Sequence, residues 1–111
     1  MDRYEFKESD WKLFRKKIVD WQEKYMDRLA KEYIELLSSD LDASERFWTL
    51  EERIKKDKKK AGVQLEMSRS GMELNIMSLL HDGAICIKDL EGFSEGLQEY
   101  MIEYCKRTRI K

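Results

Sequence analysis

Between His81 and Phe93 the chain reads HDGAICIKDLEGF, and this segment gathers the side chains best suited to chemistry: the single histidine, two aspartates around a glycine, and Cys86. Set in register with an EF-hand calcium loop, Asp82 takes the fifth position, Gly83 the sixth, Ile85 the eighth and Asp89 the twelfth. Calcium takes about six to eight oxygens, drawn largely from side chains at the first, third, fifth and twelfth positions. Here the first is Ser78, the third is Leu80, which has no oxygen to give, and the twelfth is Asp in place of a bidentate Glu. The pattern therefore predicts no calcium site. It predicts a helix stop at Gly83, Ile85 and Ile87 folded back onto the core, and Asp89 capping the turn that follows.

Other chemistries fare no better. His81, Asp82 and Asp89 are the one cluster on which an enzyme reading rests, yet no nucleophile stands beside His81 in a triad-like pattern. One histidine and two separated cysteines, Cys86 and Cys105, match no common zinc spacing. Cys86 has only Lys88 nearby in sequence to activate it, and no Gly-rich phosphate loop is present. The segment KDLEGFSEGLQEYM has the outline of a helix-turn-helix, but Glu95, Glu99 and Glu103 would set a carboxylate stripe along its second helix, which phosphate repels. These observations predict no catalytic residue, no metal and no cofactor.

Two basic segments remain. Residues 54–70 hold six basic and two acidic side chains, with Lys55, Lys56, Lys58, Lys59, Lys60 and Arg69 as the bases. Residues 106–111 hold four bases and no acid, among them Lys106, Arg107 and Arg109. Cations at a helix C-terminus complement its dipole, which accounts for the first group without a ligand. Should the two groups converge with Arg69, they would form a nucleic-acid contact. The net charge of −1 argues against attraction over the whole surface.

The elements that would position these residues are all helical. The 111-residue chain has no proline, five glycines and equal shares of charged and apolar residues, 41% each, which suits one helical domain with a real core. From Glu8 to Ser39 apolar residues recur at helical spacing through Trp11, Phe14, Ile18, Trp21, Tyr25, Leu29, Tyr33, Leu36 and Leu37, with no Gly or Pro between. One long helix is predicted, too long for a simple globule and with an apolar arc wide enough for more than one neighbour. A second, external helix follows over 43–60, its start marked by Asp42 and Glu45 as a capping-box variant and its core seam by Phe47, Leu50 and Ile54. Trp48 lies off that seam.

After a stop at Gly62, a third helix is predicted over 63–81, apolar nearly all round through Leu65, Met67, Met72, Leu74, Ile76, Met77 and Leu79, and therefore central. A short turn then leads to a last helix opened by Ser94 and running to about Arg109. The fold class read from this pattern is all-α, a small bundle of four main helices with a long N-terminal helix. Because that helix overhangs, the chain is expected to be a homodimer through Trp11, Phe14, Ile18, Trp21 and Tyr25, with Trp48 as a further interface anchor.

A charged N-terminus and the lack of any long apolar run point to a cytoplasmic protein that does not enter a membrane. The function class favoured is a non-catalytic protein–protein interaction or regulatory module. A nucleic-acid-binding accessory protein using 55–60 and 106–111 is second.

Overall fold

The computed structural model describes residues 4–110. Among them stand four α-helices and no strand: α1 (Glu8–Leu37), α2 (Ala43–Asp57), α3 (Met72–His81) and α4 (Glu95–Thr108), with a 3₁₀ turn over Ile87–Leu90 ahead of α4. The molecule is elongated, measuring 53 × 27 × 20 Å.

α1 sets that length. Its 30 residues are unbroken, and at about 1.5 Å per residue they span about 45 Å. Glu8 and Asp10 complement the dipole in its first turn. On its solvent face Lys31 pairs with Asp27 one turn earlier at 2.8 Å. On the opposite face Trp11, Phe14, Ile18, Trp21, Tyr25 and Leu29, three or four residues apart, are all buried.

Two regions divide α1 between them. Its N-terminal half, to about Tyr25, is the spine of a body closed by α3, the 3₁₀ turn and α4. Phe14, Met72, Ile76, Leu79, Leu90, Leu97 and Met101 have no exposed surface in this core, and each such side chain contributes about 1.5–3 kcal/mol. A run of aromatic rings links them: Trp11 to Phe14 at 6.2 Å, Phe14 to Trp21 at 6.1 Å, and Trp21 stacked on Phe93 at 6.1 Å. Beyond this core the C-terminal half of α1 pairs mainly with α2, forming a two-helix arm, with Arg28 reaching back to the Gly83 carbonyl and Val63 lining the cleft at its side.

The third helix is shorter than its pattern predicts. Residues 63–71 are not helical, and α3 begins at Met72. Polar side chains take the backbone groups a helix would need: the Ser68 hydroxyl accepts from the Gly71 N–H at 3.0 Å, and Asn75 donates to the Glu66 carbonyl at 2.9 Å. Nor is the helix apolar all round in use, since Leu74 and Met67 are exposed while Met72, Ile76, Leu79 and Leu80 face inward.

Gly62 does more than stop a helix. A Cβ there would stand 2.3 Å from the Tyr25 ring, so glycine lets the chain cross α1 in contact with that tyrosine. Gln22 fixes the same crossing by donating to the Ala61 carbonyl at 3.0 Å. At the end of α3, Gly83 adopts a left-handed φ of +74°, the αL conformation that ends a helix without Cβ strain. Ile85 folds back onto the core, as the spacing predicts.

Candidate interaction surface

The arm is built from an uncommon division of labour. Ser38 ends α1, and the Ser39 hydroxyl donates to the Leu36 carbonyl at 2.7 Å, turning the chain within five residues into α2. Asp42 is the residue before α2, but its side chain makes no capping bond, so the capping box read from Asp42 and Glu45 does not form.

Polar groups hold α2 to α1, and of the Phe47–Leu50–Ile54 seam only Leu50 is half-buried. Arg53 donates to Glu32 at 2.7 Å, approaches Asp57 at 3.5 Å and lies over the Tyr33 ring at 5.4 Å. The Tyr33 hydroxyl donates to the buried Asp57 carboxylate at 2.5 Å. Burial first, and then that hydrogen bond, push the Tyr33 phenol up to about 12. At the tip, Arg46 donates to the Leu37 carbonyl at 2.8 Å.

With the polar side of α2 turned inward, its apolar side faces out. Phe47 is 63% exposed and Ile54 39%, against the expectation that both pack on the core. Trp48 is 61% exposed, its ring meeting Phe47 edge-on at 4.9 Å. α1 adds Met26, Ile34 and Leu37, and the connecting loop adds Leu41, all exposed. Between the helices lies an open, mostly apolar cleft of about 270 Å³ lined by Met26, Leu29, Ala30, Tyr33, Ile54 and Val63, together with Asp57 and Lys58.

The predicted interface therefore moves. Trp11, Phe14, Ile18, Trp21 and Tyr25 are each no more than 7% exposed, covered by their own chain. The wide apolar arc of α1 is satisfied by neighbours within the molecule, and the part that overhangs begins beyond Leu29. Of the six candidates only Trp48 is open to a partner.

The segment 81–89 uses its carboxylates on its own backbone. Asp82 accepts from the Ala61 N–H at 3.1 Å and lies 3.9 Å from the Lys60 ammonium, while Asp89 accepts from the Cys86 N–H at 2.8 Å. His81 and Ser78 are exposed and Leu80 is buried. Among the described residues, no group of three or more His, Cys, Asp or Glu side chains lies close enough to hold a metal ion. Cys86 is exposed and Cys105 buried, and burial pushes the Cys105 thiol up.

The basic residues are only partly brought together. Lys60 meets Asp82, and Arg109 lines an open groove with His81 and Gly83, so the two basic segments flank one turn. Arg28 reaches the same turn and donates to the Gly83 carbonyl at 3.1 Å. Arg69 does not join them: it forks onto Glu8 at 2.9 Å and lies over the Trp11 ring at 6.0 Å. Glu8 and Gln22, which holds the 60–62 crossing, stand about 21 Å apart along α1. The Arg69 guanidinium holds Glu8 below the usual carboxylate range. Lys55 pairs with Glu51 at 3.4 Å. Lys56, Lys58, Lys59, Lys106 and Arg107 project from exposed positions.

No described helix is long and apolar enough to cross a membrane. The chain matches no protein-family model, and no curated protein and no solved structure proved similar to it.

Proposed function

We propose that this chain is a non-catalytic protein–protein interaction module, that it works as a homodimer, and that the apolar side of the α1–α2 arm is its binding surface. One observation carries the reading: Ile34, Phe47 and Trp48 are each more than 60% exposed on a chain whose core is already filled. Scattered single apolar residues are ordinary on a surface, but a contiguous apolar stretch rimmed by charge is the mark of a contact site. Phe47 and Trp48 are also of the aromatic class enriched where partners meet.

Affinity capture with the intact chain, from the cell that makes it, tests this at low and at high salt. The wild-type chain should retain protein at both, because apolar contacts are not screened, and a Phe47→Glu, Ile54→Glu variant should lose it. Equal retention by the two would remove the arm from the reading.

A second reading is favoured by Lys60 and Arg109 flanking the 81–83 turn. In it the chain is a nucleic-acid-binding accessory protein that uses 55–60 and 106–110 along the phosphate backbone. Retention on DNA or RNA should then fall steeply with salt and weaken when Lys55, Lys56, Lys58, Lys59 and Lys60 are changed to Gln. Absence of binding at low salt disposes of it.

A further inference from the structure

We infer that the groove lined by the ends of α3 and α4 is a phosphate-binding site, with Arg28 and Arg109 as its forked donors and an organic phosphate as its ligand. The inference does not depend on the arm reading. It adds to the nucleic-acid reading two side chains, Arg28 and His81, that the basic segments do not contain.

Three separate stretches of chain bring nitrogen donors to this groove. Arg28 comes from α1, His81 is the last residue of α3, and Arg109 follows the last residue of α4. Arg28 is held in place twice, by donating to the Gly83 carbonyl at 3.1 Å and by lying 4.8 Å from the Tyr25 ring centre. Among the described residues, no carboxylate pairs with Arg28, His81 or Arg109. The nearby acids are engaged elsewhere. Asp89 also lines the groove but accepts from the Cys86 N–H at 2.8 Å, and Asp82 accepts from the Ala61 N–H at 3.1 Å with Lys60 at 3.9 Å.

Helix capping does not account for these cations. A cation at a helix C-terminus ordinarily takes up the last carbonyls there. Here the Leu79 carbonyl accepts from the Ala84 N–H at 2.9 Å and the Leu80 carbonyl from the Gly83 N–H at 3.2 Å. At the end of α4 the Cys105 carbonyl accepts from the Ile110 N–H at 2.9 Å and the Lys106 carbonyl from the Arg109 N–H at 3.4 Å. Backbone groups thus close both ends. Arg109 is also held at a φ of +60°, the one non-glycine residue of positive φ among those described. Glycine is the residue this conformation favours, so an arginine there costs stability that capping does not require.

Size and lining give the class of ligand. The open groove measures about 690 Å³, within the ~300–1,000 Å³ of small-molecule sites. Leu80 and Ile85, both buried, and the half-buried Ile110 form an apolar wall for the organic part. One guanidinium fork satisfies a carboxylate. Two suit a phosphate monoester, which offers three acceptor oxygens and carries a charge of about −1.5 to −2 near neutral pH. That group can come from a free nucleotide or from the backbone of a nucleic acid.

Amide shifts of the full chain, followed by heteronuclear NMR at matched ionic strength, test the site with adenosine monophosphate, with adenosine and with a short oligothymidine. The monophosphate should move amides of 80–86 and 108–110 and leave those of 43–60 in place, and adenosine should move none. Arg28→Gln and Arg109→Gln should each weaken binding about tenfold, with helical circular dichroism unchanged because both side chains are exposed. Arg109→Gly separates binding from folding: it should raise the urea midpoint and weaken binding by the same factor.

Shifts from the monophosphate assign the groove to free organic phosphates. The same shifts from the oligothymidine alone assign it to a nucleic-acid backbone, and either result supports the inference. It is overturned if neither phosphate probe moves these amides at millimolar concentration, if adenosine moves them equally, or if any of the three variants keeps wild-type affinity. Shifts confined to 55–60 remove the groove and leave the nucleic-acid reading standing.

Discussion

Asp10 and Ser94 lie 84 positions apart and meet twice: the Asp10 carboxylate accepts from the Ser94 N–H at 2.8 Å and from its hydroxyl at 2.6 Å. The same carboxylate accepts from the Tyr4 hydroxyl at 2.6 Å. The Ser94 hydroxyl in turn accepts from the Leu97 N–H at 3.3 Å, capping α4. One buried charge thus joins the segment before α1, the first turn of α1 and the start of α4. Hydrogen bonds to a charged group contribute about 1.5–3 kcal/mol, and an orphaned buried donor costs about 1–3. Asp10→Ala should destabilise the chain by about 3 kcal/mol in urea unfolding, and a loss under about 1 kcal/mol would show that water replaces the carboxylate.

Alkaline pH should weaken the fold through Tyr4 and Tyr33. Burial first, then the bond to Asp10, push the Tyr4 phenol well above its ordinary range, and Tyr33 is pushed up to about 12 by burial and its bond to Asp57. In the unfolded chain both titrate near 10. Their contribution is therefore complete below pH ~10, and it is lost as pH rises toward the folded values, because the unfolded chain releases protons that the folded chain keeps. Between pH ~10 and 12 the urea midpoint of the wild type should fall more steeply than that of Tyr4→Phe, Tyr33→Phe. Parallel curves for the two chains contradict this.

Much of the fold could be read from local pattern, because local rules decide it. α1 has no Gly or Pro, an apolar residue every third or fourth position and acids in its first turn, and it forms as one rod. Ser94 opens α4 and Gly83 closes α3 for equally local reasons. Residues 63–71 mislead, since Val63, Leu65 and Met67 suggest a continuing helix while Ser68 and Asn75 take up its backbone groups. The arm is harder still. Which side of α2 turns inward is decided by Arg53 with Glu32 and Asp57 with Tyr33, pairs 21 and 24 residues apart that no window over α2 contains. The hydrophobic seam of a surface helix normally faces the core, and here part-buried polar pairing around the buried Asp57 has taken most of that side. Asp10 reads locally only as one more acid in a first helical turn, for the partners that bury it lie in a preceding segment and a distant helix cap.

Gly62 should be intolerant of any side chain. The Cβ of alanine would fall 2.3 Å from the Tyr25 ring, and Tyr25 is held between α1, the 60–62 crossing and the Arg28 guanidinium, 4.8 Å from its ring centre. Either the buried ring or the backbone carrying the Ala61 bond to Gln22 would have to shift to admit that carbon. Overpacking of this kind costs about 1–3 kcal/mol. Gly62→Ala should lower stability by about 2 kcal/mol, and Gly96→Ala serves as its control because nothing lies within 4 Å of that added carbon. Equal midpoints for the two variants would show that the crossing adjusts.

Asp57→Ala should loosen the arm and spare the body. Asp57 is 7% exposed, accepts from the Tyr33 hydroxyl at 2.5 Å and lies 3.5 Å from Arg53. Without it the Tyr33 hydroxyl is left half-buried with no acceptor, and Arg53 keeps only the partly exposed Glu32. The loss should be about 1–3 kcal/mol, and it falls on a helix with no hydrophobic seam in the core, so local opening rather than global unfolding absorbs it. Amide hydrogen exchange should accelerate throughout 46–57, while amides of α3 and α4 keep wild-type protection. Acceleration spread evenly over all four helices would mean that the arm and the body open as one unit.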